Sequence, residues 1–100
     1  MNIRVTNTAK EKLQQLQNEG KTIIRVKGTI GNTCTVYVNI DLIVDEYHAN
    51  DVAFEDEQLV IQIDDFTKDY IGNTMTLDYN TGFKITTPSE TIVYGLSLKK

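Results

Sequence analysis

Soft metal ligands are nearly absent from this chain, which has one cysteine, Cys34, and one histidine, His48, in 100 residues. A lone cysteine excludes an internal disulfide and agrees with a reducing compartment. The single proline and the lack of any low-complexity tract leave nothing to mark a linker, so the expectation is one domain over residues 1–100 with one core. No apolar run approaches the ~20 residues a membrane helix needs. The opening Met1-Asn-Ile-Arg-Val-Thr-Asn7 lacks the apolar stretch of a signal peptide. A cytoplasmic location with no membrane partner is therefore expected. Ten Lys and Arg stand against fourteen Asp and Glu, a formal charge of −4, and the cations are dispersed. That distribution offers no face to neutralise phosphates and argues against nucleic acid as a partner.

What is present is period-two alternation, preceded by one helix. Ile3 to Val5 reads as a short strand. Thr6 or Thr8 then caps a helix, and Thr8-Ala-Lys-Glu11 matches the reciprocal S/T-x-x-E box. Ala9, Leu13 and Leu16 form its apolar stripe, and Gly20 ends it. From Lys21 onward Ile24 and Val26 alternate with Arg25 and Lys27. After a glycine-bearing turn, Gly28-Thr-Ile-Gly31-Asn-Thr, the positions Cys34, Val36, Val38, Ile40, Leu42 and Val44 share one parity. The pattern repeats in Leu59, Ile61 and Ile63, in Met75, Leu77 and Tyr79, in Phe83 and Ile85, and in Ile92, Tyr94, Leu96 and Leu98. By the same parity most of the five tyrosines belong to the core or its rim. Asp64-Asp-Phe-Thr-Lys-Asp-Tyr70 breaks the alternation as one Asp-capped helical turn. The expected fold is mainly β (α+β), a compact sandwich or barrel of about seven strands with one N-terminal helix.

Four segments carry a resemblance: Ile3-Arg-Val-Thr-Asn-Thr-Ala-Lys-Glu-Lys-Leu13, Asp51-Val-Ala-Phe-Glu-Asp-Glu-Gln-Leu-Val-Ile-Gln-Ile-Asp64, Tyr70-Ile-Gly-Asn-Thr-Met-Thr-Leu-Asp-Tyr79, and Gly82-Phe-Lys-Ile-Thr-Thr-Pro88. In this order they resemble the HesB-like domain of A-type iron–sulfur cluster carriers. The resemblance implies the same mainly β fold and a part in iron–sulfur cluster assembly, with assembly or recipient proteins as partners. It also implies three cysteine ligands per subunit. Cys34, after Gly31-Asn-Thr, matches the first, with Tyr37 as the aromatic of that motif. The other two belong to a C-terminal Cys-Gly-Cys, which falls on Tyr94-Gly95-Leu96, so the glycine is kept and both thiols are lost. Thr35-Val36 also replaces the family's small Ser-Gly pair.

Four thiolates usually hold a two-iron or four-iron cluster. A monomer of this chain supplies one and a homodimer two, and monomer or homodimer are both open. The expectation is no tightly bound cofactor, with transient contact of Cys34 to iron or a cluster on a partner. Cys34 also fits the inward face of its strand as a small apolar side chain, and no motif sets a helix N-terminus beside its sulfur. The two readings differ in whether the thiol is reachable.

His48 lies in Asp45-Glu-Tyr-His-Ala-Asn-Asp51, where three carboxylates and an imidazole resemble no known metal loop, so a solvated acidic loop is expected and no metal site. One histidine supplies no triad, and Gly28, Gly31 and Gly72 precede no Gly-Lys-Ser/Thr, so no enzyme is expected. Three classes remain: a non-enzymatic iron–sulfur biogenesis protein with a degenerate ligand set, a structural or protein-interaction module that kept the fold, and a small-ligand binder.

Overall fold

The computed structural model describes residues 1–16, 20–31 and 38–99. In chain order it contains β1 (Asn2–Val5), α1 (Asn7–Leu16), β2 (Thr22–Ile30), β3 (Val38–Val44), β4 (Val52–Glu55), β5 (Leu59–Ile63), α2 (Asp65–Ile71), β6 (Thr74–Tyr79), β7 (Phe83–Thr86), β8 (Thr91–Leu96) and β9 (Leu98–Lys99). One sheet has the order β1-β6-β7-β8 and the other β4-β5-β2-β3-β9. Ile24, Val26, Ile40 and Leu42 from the second sheet share one core with Met75, Leu77, Phe83 and Ile85 from the first. The fold is mainly β within an α+β plan, as the alternation predicts.

The count of elements differs from expectation. Nine strands and two α-helices stand among the described residues, against about seven strands and one helix. Strand β4 is short, half-buried throughout its apolar positions and shifted in register against β5, so it shows no clean alternation. The apolar series from Ile92 to Leu98 is two strands, because the chain leaves β7 after Leu96 and Leu98 pairs with Leu42 of β3. The expected turn at Gly28 is also strand: Gly28, Thr29 and Ile30 pair with Ile40, Asn39 and Val38.

Helix α1 is capped by Thr6, not by the Thr8–Glu11 box. The Thr6 hydroxyl accepts from the Ala9 amide at 3.3 Å and its carbonyl accepts from the Lys10 amide at 3.0 Å. Parallel pairing of β1 with β6 runs to Val5 beside Leu77 and fixes where the strand must turn. Thr8 is thereby freed, and both threonine hydroxyls donate to Asp78 Oδ1, at 2.7 Å from Thr6 and 3.1 Å from Thr8. Ala9 and Leu13 are buried, but Leu16 is 37% exposed and belongs to the rim. Helix α2 completes two turns. Asp64 caps it by accepting from the Thr67 amide at 2.9 Å, and Thr67 is itself buried against β2.

Candidate functional site

Cys34, the one residue singled out as a ligand, lies outside the described residues, as do Val36 and Tyr37. The strands on either side of that segment are described: Ile30 of β2 pairs with Val38 of β3. The positions matched to the missing cysteine pair are Tyr94 and Leu96 of β8. β9 runs parallel to β3, Leu42 beside Leu98, and β8 directly precedes it in the chain. β8 accordingly contacts β3, the strand that begins at Val38. Across the two sheets, the strand that carries Tyr94 and Leu96 thus touches β3.

Parity does not survive along β8. The register against β7 shifts between the Phe83–Leu96 and Ile85–Val93 pairs, and Gly95, inside that shift, has φ of 70°. A left-handed residue in an antiparallel strand is tolerated by glycine, and the irregularity turns the preceding side chain away from the core. Tyr94 is 77% exposed instead of inward, while Leu96 packs on the core. Leu96 lines a groove of about 190 Å³ with Lys12, Leu16, Tyr79, Phe83 and Leu98. The wider expectation for tyrosines fails as well: Tyr47, Tyr70 and Tyr94 are exposed, and Tyr79 alone among the described ones packs on the core, edge-on to Phe83 at 4.9 Å.

The acidic loop around His48 is a clamp. Arg25 Nε donates to Asp45 Oδ2 at 2.6 Å and its Nη2 to Asp51 Oδ2 at 2.9 Å. Gln62, fully buried in β5, donates to Asp45 Oδ2 at 3.0 Å and to the Glu46 carbonyl at 2.8 Å, and its oxygen accepts the His48 amide. Burial alone would raise the Asp45 carboxyl. Hydrogen bonds from Arg25 and the Glu46 amide, with the charges of Arg25 and His48, outweigh it and hold Asp45 below the usual range. Burial lowers the Arg25 guanidinium, but its two carboxylates raise it on balance. The imidazole is more than half exposed and 4.0 Å from Asp45 Oδ1. Two of the loop's carboxylates are therefore committed to Arg25. Among the described residues no three His, Cys, Asp or Glu side chains come together as a metal site.

Sequence reasoning missed Arg25 and Gln62. Each sits at an outward position of an alternating strand, and only the pairing of Ile24 with Val44 brings Arg25 beside Asp45.

No curated protein matches this chain. Among solved structures, a candidate Fe–S biosynthesis protein from Lactobacillus acidophilus superposes with a TM-score of 0.67 at 18% identity, over 100% of this chain and 90% of that one. A second candidate Fe–S biosynthesis protein, from Lactobacillus salivarius and described as having a novel fold, gives 0.61 at 16% identity over 99% and 97%. At such identities the likeness concerns fold alone. No helix of the described residues is long and apolar enough to cross a membrane. The family model for iron–sulphur cluster biosynthesis matches residues 1–100, and the chain belongs to that HesB-like family.

Proposed function

We propose that this protein serves iron–sulfur cluster biosynthesis without catalysing a reaction, and that it handles iron or a cluster as cargo, through Cys34, while a partner supplies the other thiolates. The observation that carries this reading is the chemistry at positions 94 and 96. Matched by the resemblance to the second ligand pair, they lie in β8, a strand in contact with β3, and they bear a phenol and an isobutyl group. Iron–sulfur cores need anionic sulfur donors, and neither side chain is one. The donor set therefore does not fit a resident cluster. One thiol per chain suits brief contact with a cluster that is mostly held elsewhere, by assembly or recipient proteins in the cytoplasm.

A second reading is favoured by Tyr94. A ligand position rebuilt as an aromatic that is 77% exposed suits a module that kept the fold and lost the cargo. Anaerobic reconstitution with iron and sulfide separates the two. The wild type and Cys34→Ser are compared with and without an excess of glutathione, and protein-bound iron is measured after desalting. The proposal expects bound iron only when both glutathione and Cys34 are present. Equal iron in Cys34→Ser removes the assigned role from the thiol. Stoichiometric cluster without glutathione overturns the incomplete ligand set, and no iron under any condition leaves the interaction module.

A further inference from the structure

Thr8, Lys12 and Leu16 stand one above another on α1, spaced by four residues, in a stripe that flanks the buried Ala9 and Leu13. Facing this stripe, the chain changes sheets. Leu96 pairs with Phe83 of β7, and two positions later Leu98 pairs with Leu42 of β3. Two open hollows border the stripe. One, of about 190 Å³, has Leu16, Phe83, Leu96 and Leu98 on its apolar side. The other, of about 310 Å³, is mainly polar, with Glu11, Gln15 and Asn80 on its walls. Lys12, Tyr79 and Thr81 line both, so an apolar hollow and a polar one share a border at one cation.

Lys12 selects the occupant. Lys10 pairs with Asp56, Lys21 with Glu55 and Lys99 with Asp41, but no carboxylate lies within ion-pair distance of Lys12 among the described residues. The residue is half-buried, and its Nζ sits over the Tyr79 ring, 5.3 Å from the centroid. The ring face attracts the ammonium but supplies no counter-charge. We infer that this cleft binds a small amphipathic monocarboxylate, its apolar body against Leu16, Phe83 and Leu96 and its carboxylate at the Lys12 ammonium. The Gln15 side-chain amide, on the polar wall, offers a second donor. Other chemical classes fit less well. Glu11 on the same wall repels a second negative charge, which disfavours nucleotides and other multiply charged phosphates. A neutral lipid leaves the ammonium without its counter-charge. The polar hollow stands at the lower end of the range of about 300–1,000 Å³ for small-molecule sites, so binding is expected to be weak and reversible.

The site uses neither Cys34 nor iron, so it stands or falls apart from the proposed function. Octanoate, titrated into isotope-labelled, iron-free protein and followed by backbone amide NMR shifts, is the probe. Saturable shifts are expected to gather at Gln15, Leu16, Thr81 and Ser97. Acetate, which has the charge without the body, and octylamine, which has the body with the opposite charge, should not saturate them over the same range. Lys12→Met keeps an apolar stem and removes the charge, and it should weaken octanoate binding at least about fivefold, whereas Lys12→Arg should retain it. Leu16→Ala shortens a partly exposed side chain and should weaken binding about threefold. Circular dichroism checks the fold of each variant. Shifts that never saturate, or that gather elsewhere, overturn the inference. So does octanoate binding that Lys12→Met leaves unchanged, or a loss in Lys12→Arg as large as in Lys12→Met. Octylamine binding as well as octanoate also overturns it, because apolar adsorption then suffices.

Discussion

At Gly28 the reason for glycine is a side-chain hydroxyl. The Gly28 amide donates to Thr67 Oγ1 at 3.0 Å, and a Cβ at residue 28 would stand 2.9 Å from that same oxygen. Thr67 is fully buried, so it has no open side to retreat into. Gly28→Ala should therefore destabilise the protein by about 1–3 kcal/mol through overpacking. Thr67→Val should cost a similar amount by leaving the strand amide without an acceptor. Urea midpoints of the two variants check this, and a loss under about 0.5 kcal/mol in Gly28→Ala would show that α2 yields easily. The glycine was legible in the sequence, but as a turn. Its real determinant lies 39 positions away in a helix. The same distance hides the clamp on the acidic loop, since Arg25 and Asp45 are 20 positions apart and meet only once β2 and β3 are paired.

The strands that alternate cleanly, β2 and β6, are paired in unbroken register with both of their neighbours. In β2 the inward set Thr22, Ile24, Val26 and Gly28 is buried at every position, and in β6 Met75 and Leu77 follow suit. β5 departs because it is buried on both faces, with all five residues covered, and its outward Gln62 becomes the anchor of the 45–48 loop. β8 departs because Gly95 inserts a left-handed residue, an event that sequence alternation cannot register. The split bears on how the missing ligand pair can be restored. Tyr94→Cys replaces a mostly exposed ring and should leave stability within about 0.5 kcal/mol, as surface changes usually do. Leu96→Cys removes methyl groups that pack on the core and should cost about 1–2 kcal/mol. If residues 94–96 occupy the place of the family's Cys-Gly-Cys, the double variant should bind iron and sulfide without added glutathione and lose them again on Cys34→Ser. Iron per chain after desalting reads the outcome. A folded double variant with no more iron than the wild type would mean that the matched positions are wrong.

Over the whole molecule, carboxylates tie elements together that hydrophobic burial alone would leave loosely oriented. Asp78 joins β6 to the start of α1. The Thr6 hydroxyl and then the Tyr79 amide hold its carboxyl below the usual range, against the opposing effect of burial. Asp64 is lowered by its hydrogen bonds with the Thr67 side chain and amide at the head of α2. For Asp56, burial raises the carboxyl, but the Gln58 amide, Lys10 and the Leu59 amide overcome it in the β4–β5 turn. Asp45 completes the set in the Arg25 clamp. Each of these groups has a lower pKa folded than unfolded, so the unfolded chain binds more protons as acid is added. Their contribution is fully present above the ordinary carboxylate value of about 4 and is lost as pH falls through the depressed folded values. Stability to urea should accordingly be nearly level from about pH 7 to pH 5 as far as these groups are concerned, then decline below about pH 4. Asp78→Asn gives up the charge that the two threonine hydroxyls favour. It should be less stable than the wild type at pH 7, and the gap should close as the wild type is acidified, since protonation removes the same charge. A constant gap from pH 7 to pH 2 would instead assign the loss to packing or to the amide's altered hydrogen bonding, and the link between α1 and β6 would then owe little to the ionised carboxylate.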